Sequence, residues 1–288
     1  MKLLFIFIRS IYQSPHFLGK ERLKTLLLNI YRIVKSRSHN LLCTAYDGRK
    51  FRINLYDRTY DTLYFTGYFE KNETQFIEQT VRKGDVVLDI GANYGWYTTL
   101  CSKLCGSKGE VHAFEPVPST LDELRFNFRM NQADNNVVIN DFALGNEEKN
   151  DQIFLFDGLP HSHASLSDLG RSDGHSFSIQ VTTLDNYAEK CLQDKQIRFI
   201  KLDVEGAELN VLEGAKQFFA TQKNLWLLFE INMETSKAFG YDLHMLFSAL
   251  ESNGFRHFFQ VGSGGIPKEI RDFNTLFHGA NVFCHKRG

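Results

Sequence analysis

Residues Asp85–Gly95 read DVVLDIGANYG, and the pattern continues through Glu115 in EVHAFEP, Glu110–Pro116. An apolar run over Val86–Ile90, with an acid at Asp89, passes into small residues before Trp96–Leu104 resumes helical spacing. The spacing predicts strand, tight turn, helix. Glycines at 91 and 95 let the backbone turn sharply and approach a ligand with no Cβ in the way. The new helix adds unpaired amides and the positive end of its dipole. One strand later, Glu115 closes a second apolar run, a suitable place for an acid that grips the vicinal hydroxyls of a ribose. A glycine-rich turn alone is a weak signal. An acid at the end of each of two successive strands sharpens it toward a nucleoside-containing cofactor, without saying which one.

Downstream the alternation repeats. A helix after Pro118 turns Leu121, Leu124 and Phe128 inward, and Val137–Ala143 is the third strand, ending near Asp141. Strands follow at Ile197–Leu202, Leu225–Phe229, Phe255–Phe259 and Thr275–Cys284, with helices at Glu208–Phe219 and Tyr241–Asn253. Short apolar strands separated by helices mean an α/β fold, a mostly parallel sheet of seven core strands with helices on both faces and a hairpin-like final pair. Its ligands belong at the carboxyl ends of the strands. Ile153–Phe156 and Phe177–Val181 read as extra strands around a polar loop with His161, His163, Ser165 and His175. This insertion, about residues 151–183, either covers the cleft and sets selectivity or is a mobile surface loop.

Upstream, residues 1–70 form an extension to a main domain at 71–288. Glu21–Val34 is an amphipathic helix with Leu23, Leu26, Leu27, Ile30 and Val34 on one face. Packing on the domain or on a second subunit, in a homo-oligomer, is favoured over contact with a membrane surface. Asp47-Gly48-Arg49 between Leu41–Tyr46 and Lys50–Leu55 is a strong hairpin signal. Tyr60–Glu70 is unusually aromatic, and Asn72–Val81 has helical spacing. Leu3–Ile8 is apolar but too short to span a bilayer and lacks a cleavage site, so a cytoplasmic protein is expected.

Hydrophobic residues at 43% and charged residues at 23% fit a globular protein. With 33 basic against 34 acidic residues, nothing in the charge favours nucleic acid as a partner. Five scattered cysteines argue against a disulfide scaffold and a zinc knuckle; Cys101 and Cys105, one turn apart, read as small buried hydrophobes.

Five stretches together carry a resemblance: DVVLDIGANYGWYTTL at Asp85–Leu100, AFEP at Ala113–Pro116, NDFALG at Asn140–Gly145, TTLD at Thr182–Asp185 and KLDVEGAELNVLEGA at Lys201–Ala215. In order and spacing they resemble the FkbM-type family of S-adenosylmethionine-dependent methyltransferases, over well more than half the chain. The resemblance implies a class I methyltransferase fold, Rossmann-like, with one antiparallel strand in a seven-stranded sheet. It also implies methylation of a hydroxyl oxygen on a sugar, a glycosylated molecule or a secondary metabolite. Carried over residue by residue, Asp89, Gly91, Asn93 and Gly95 surround the methionine part of S-adenosylmethionine, and Glu115 takes the ribose hydroxyls. Asp141 and Phe142 flank the adenine, Tyr68 and Glu70 cover the cofactor, and Asp203 with Glu205 lie at the methyl-transfer centre. Acceptor identity is expected to depend on the ends of the chain and on the His161–His175 loop.

The chemistry asks for acids there. Displacement at a sulfonium methyl needs an oxygen held in line, and an alcohol must lose its proton as the bond forms. Asp203 is the first candidate and Glu205 the second, while Glu208 is better suited to capping its helix. Lys201 and Asp203 share a strand face and can pair. Glu230 divides evenly between loop stabilisation and the site, and Asp141 between a turn acid and an adenine contact. His161 and His163 have the acidity of a general base, but a polar loop collects histidines without purpose. A divalent metal between Asp203 and Glu230 is not favoured, since only these two ligands are visible. The rival readings are a nicotinamide-dependent oxidoreductase, disfavoured by the missing third-glycine spacing, and a non-catalytic binding protein that retains the fold.

Overall fold

The computed structural model describes residues 40–54, 61–131, 136–156, 174–193 and 195–287, with Arg22, Thr25 and Leu26 upstream. The rest of the expected Glu21–Val34 helix, and His161, His163 and Ser165, lie outside the described residues.

The hairpin forms as read. Asn40–Thr44 (β1) pairs antiparallel with Lys50–Asn54 (β2), Thr44 opposite Lys50, and Gly48 takes φ +89° in the turn between them. Asp61–Thr66 (α1) and Lys71–Thr80 (α2) lead to Val86–Ile90 (β3). Trp96–Cys105 (α3), Glu110–Phe114 (β4), Pro118–Met130 (α4) and Val137–Asn140 (β5) follow. Next come Ala143–Gly145 (β6), Lys149–Phe156 (β7), Gly174–Thr183 (β8), Leu184–Tyr187 (α5) and Ile197–Leu202 (β9). Glu208–Glu213 (α6), Lys216–Thr221 (α7), Leu225–Ile231 (β10), Met233–Ala238 (α8) and Leu243–Ser252 (α9) carry the chain on. It ends with His257–Gly262 (β11), Ile266–Glu269 (β12) and Ala280–Lys286 (β13).

The main sheet has the order β12-β11-β13-β10-β9-β3-β4-β5. The five strands from β10 to β5 are parallel, and β13 runs antiparallel to both β10 and β11. The sheet is therefore mixed and has eight strands where seven were expected. The eighth, β12, is the exposed tetrapeptide IPKE on the edge beside β11; with no buried face, it leaves no alternating pattern to read. The expected strand Val137–Ala143 is also split. At Asp141–Phe142 the chain leaves the main sheet, and β6 joins a separate sheet of order β6-β8-β7 built from the insertion strands.

Helix Glu208–Phe219 is interrupted at Gly214 and Ala215. A Cβ on Gly214 would lie 2.0 Å from the carbonyl oxygen of Gly145, so the break seats this backbone directly on β6. On α4, Leu121 and Leu124 are buried, but Phe128 is only half-buried, and Asn127, like Leu124, has no exposure. The Asn127 amide donates to Tyr94 O at 3.0 Å, and its oxygen accepts the Arg52 amide at 2.7 Å, tying α4 to β2.

Alternation along the strands divides the core. Leu88, Ile200, Leu227 and Phe229 pack with α6, α7 and α9 on one face. Val87, Phe199, Leu228 and Phe283 pack on the other with α2, α3 and the hairpin residues Phe51 and Ile53. Each large apolar side chain buried this way contributes about 1.5–3 kcal/mol. Arg49, only 5% exposed, fastens the hairpin to the start of α3, donating to Trp96 O at 2.6 Å and Thr99 Oγ1 at 2.8 Å. None of the five cysteines forms a disulfide, and Cys101 and Cys105 are buried, with burial raising both thiol pKa values. No helix among the described residues is long and apolar enough to cross a membrane.

From β3 the chain runs outward to β4 and β5, and later from β9 to β10 in the opposite direction. The crevice at the carboxyl end of β3 is thus a topological switch point, where open sheets of this kind bind ligands.

Candidate active site

The turn after β3 is moulded against its neighbours. Gly91 has φ +82°, and a Cβ there would lie 1.8 Å from the carbonyl oxygen of Asp203, so only glycine fits. The Gly91 and Ala92 amides donate to Phe114 O, and the Asp203 amide donates to Ile90 O at 2.9 Å. Asn93 has φ +50°, a turn conformation that asparagine tolerates. Its side-chain Oδ1 is buried without a hydrogen-bond partner.

Glu115 follows β4 directly. It is 5% exposed; Oε2 accepts the Asn93 amide and Oε1 the Val117 amide, each at 2.9 Å. Burial pushes its carboxyl up to about 7, against the two amides that favour the charge. Asp89, 1% exposed, accepts the Thr98 hydroxyl on Oδ2, while Oδ1 has no partner. Burial raises this carboxyl also, with Lys201 pulling it back.

Beside them lies a group of acids about one lysine. Lys201 Nζ is 2.5 Å from Asp203 Oδ2, the pairing expected from their shared face, and 5.2 Å from the centre of the Tyr97 ring. Burial disfavours its charge, but Asp203, Glu70 and Asp89 attract it more strongly and raise its pKa above the ordinary lysine value. Glu70 sits at the start of α2 with φ +42°. The Tyr97 hydroxyl donates to its Oε2 and the Asn281 amide to its Oε1 at 3.3 Å. Burial pushes the Glu70 carboxyl up, offset by Lys201.

Glu205, with φ +52°, accepts the Asn232 amide at 3.3 Å. Burial, then repulsion from Asp203, raises Glu205 and Glu230 well above the usual carboxylate range. Glu208, 2% exposed, accepts the Val204 and Gly206 amides on Oε1 at 3.1 and 3.3 Å. Its Oε2 accepts the Tyr241 hydroxyl at 2.9 Å. Glu208 thus fastens the turn that carries Glu205, a role close to the expected cap.

Two of the expected residues stand apart from this group. Asp141 is exposed, with Oδ2 3.7 Å from Arg125 Nη2. Tyr68 stacks on Tyr46 at 3.9 Å, with the Lys71 ammonium 5.0 Å from its ring. Phe142 packs edge-on against Phe114 at 5.8 Å and near Tyr187, beside β4. Sequence reasoning missed Tyr97, Thr98, Asn232 and Asn281. Asn281 stands opposite Glu230 in the β10–β13 register, a relation that appears only once the strands are paired. Among the described residues, no group of three or more His, Cys, Asp or Glu side chains is arranged to hold a metal.

A model of the methyltransferase FkbM domain matches residues 89–257. A hexuronic acid methyltransferase, AglP, of Haloferax volcanii is 29% identical over 145 residues, 50% of this chain and 56% of that protein. Methyltransferase 1 of Beauveria bassiana is 24% identical over 148 residues, 44% of this chain and 57% of that protein. The match spans little more than half the length of either relative. A crystal structure of an S-adenosylmethionine-dependent O-methyltransferase from Thermotoga maritima superposes with a TM-score of 0.45 at 11% identity, covering 88% of this chain and 95% of that one. The glycine turn, Glu115, Asp203 and Glu205 all fall inside the matched range, and the chain belongs to the methyltransferase FkbM domain family.

Proposed function

We propose that the protein transfers the methyl group of S-adenosylmethionine to a hydroxyl oxygen of a sugar-containing or otherwise hydroxylated small molecule. The observation that carries this reading is the convergence of Asp89, Gly91, Asn93 and Glu115 at the adjacent carboxyl ends of β3 and β4, where two buried side-chain oxygens, Asp89 Oδ1 and Asn93 Oδ1, have no partner. Buried acceptors without partners are costly unless a ligand brings donors to them. The unmatched oxygens and the buried carboxylate of Glu115 beside them fit this cofactor. Family membership and the hexuronic acid methyltransferase among the relatives add support for a sugar acceptor.

When bound, S-adenosylmethionine supplies a methyl group on a sulfonium, open to displacement by an oxygen. Glu115 accepts the ribose hydroxyls, while Asp89, Gly91, Asn93 and Gly95 surround the methionine part. Phe142 offers a flat wall to the adenine, with Asp141 at its edge, and Tyr68 and Glu70 close the near side. Asp203, ion-paired with Lys201, orients the acceptor hydroxyl and takes its proton; Glu205 stands second in that role. Holding the oxygen in line is itself a large part of the rate.

The experiment is calorimetry with S-adenosylmethionine and S-adenosylhomocysteine, with a nicotinamide dinucleotide as control. It is followed by mass-spectrometric detection of methylated product across neutral sugars, hexuronates and hydroxylated metabolites. Binding of the sulfur compounds alone, with methyl transfer to at least one hydroxyl, is the expected result. A folded protein that binds neither sulfur compound would overturn the reading.

A further inference from the structure

A cavity of about 320 Å³ opens beyond the carboxyl end of β10. Its walls come from the two connections that meet that end: Met233, Tyr241, Leu243 and Phe247 after β10, and Phe273 and Leu276 before β13. Gly279 N donates to Ile231 O at 2.7 Å, so both connections start at the same sheet edge as Glu230. The lining is mostly apolar and aromatic, with Phe247 and Phe273 stacked at 3.9 Å. Two of its polar side chains are occupied: Ser236 donates to Asn232 O, and Asp242 accepts the Met245 amide. A volume and lining of this kind suit an apolar ring better than a sugar, which would need several polar groups to replace water.

The cavity is tied to the acids in two ways. The Asn232 amide donates to Glu205, and Met233, the next residue, is cavity wall. Tyr241, also wall, donates to Glu208, which holds the Val204–Gly206 turn. Helix α8 lies between, with Thr235 and Phe239, the residue following the helix, against Gly206 and with Met233, Ser236 and Lys237 on the cavity. The first turn of α8 is thus the partition between the cavity and the turn that carries Glu205.

We infer that this cavity is an acceptor subsite for an apolar, preferably aromatic, portion attached to the hydroxylated part that is methylated. The inference rests on the proposed methyl transfer and deepens it: the acceptor is an aglycone-bearing or aryl-substituted molecule, not a free sugar. Lys237, exposed at the cavity, sits where the attached polar part leaves it.

The test uses p-nitrophenyl β-D-glucopyranoside and methyl β-D-glucopyranoside as probes, which share a sugar and differ in the apolar group. Calorimetry is run with S-adenosylhomocysteine saturating, so that no transfer occurs. The aryl glucoside binds at least about tenfold more tightly than the methyl glucoside, as burial of one ring allows. Leu243→Trp and Leu276→Trp, which fill the cavity, remove that advantage while S-adenosylhomocysteine affinity, the check on folding, stays unchanged. Equal binding of the two glucosides, or no binding of either, overturns the inference, as does an aryl preference that survives both tryptophan variants. Failure of S-adenosylhomocysteine to bind is read separately. It refutes the proposed transfer, and the contrast between glucosides still decides whether the cavity takes an apolar ring.

Discussion

Replacing Glu115 by glutamine keeps the shape of the side chain and removes its charge. Each of its oxygens accepts a backbone amide at 2.9 Å, so an NH2 at either position faces a donor with a donor. One amide loses its partner at a site only 5% exposed, which costs about 1–3 kcal/mol of folding stability. On the proposed cofactor, the ribose hydroxyls lose a charged acceptor worth about 1.5–3 kcal/mol. At about 1.4 kcal/mol per decade, that is a rise in Kd of roughly ten- to a hundredfold.

A pH series separates charge from shape. Burial lifts the Glu115 carboxyl from 4.5 to about 7, so the empty site holds a proton just below neutrality, whereas ribose hydroxyls select the ionised form. Binding therefore expels a proton, and wild-type affinity falls by about tenfold from about pH 8 to about pH 6. The glutamine protein loses that slope. For stability the sign is opposite: folding raises this acid's pKa, so its contribution is fully present below 4.5 and is lost as pH rises through about 7. The assays are calorimetry for Kd and urea midpoints for stability. A Kd within about threefold of wild type, with the same pH slope, would refute the ribose assignment.

Asp203→Asn should lower turnover by about a hundredfold, the ordinary worth of a positioned proton acceptor, and leave S-adenosylmethionine affinity nearly unchanged; single-turnover product formation reads this, and equal turnover would misplace the reacting centre. Lys201→Met removes the cation that Glu70, Asp89 and Asp203 share, and should cost about 3–5 kcal/mol in urea denaturation. That deficit should shrink at acid pH, as the stranded carboxylates take up protons. Gly91→Ala places a Cβ 1.8 Å from Asp203 O at φ +82°, and should lower stability by about 2–4 kcal/mol; an unchanged urea midpoint would show that the two turns part easily.

What could be read in advance was what lies close in sequence. The glycine turn, the acid closing the next strand and the face shared by Lys201 and Asp203 all follow from spacing over a few residues. The hairpin at Asp47-Gly48-Arg49 was legible for the same reason. What depends on distant partners was not. Nothing near Gly214 announces that the Gly145 carbonyl will press against it, so the helix break was invisible. Asn281 and Asn232 reach Glu70 and Glu205 only because β13 lies beside β10 and the chain turns at its end. Strand β12 carries no buried face, and so no alternation. Phe128 was expected inside by helical spacing, but Asn127 took that place, where its side-chain oxygen accepts the Arg52 amide of the hairpin.

The close approach of Gly91 to Asp203 has a bearing on how an enzyme of the proposed kind is altered. Two peptide segments more than a hundred positions apart touch through backbone atoms, with no side chain between them to absorb a shift. Moving the Asp203 turn to suit a new acceptor would drag with it the Gly91 turn, to which the proposed function gives the cofactor. Variation that preserves cofactor geometry must therefore enter from walls that can be remodelled independently, such as the side chains of α9 and the segment ahead of β13. Laboratory selection for new acceptors should accumulate its changes there and leave the two turns as they are.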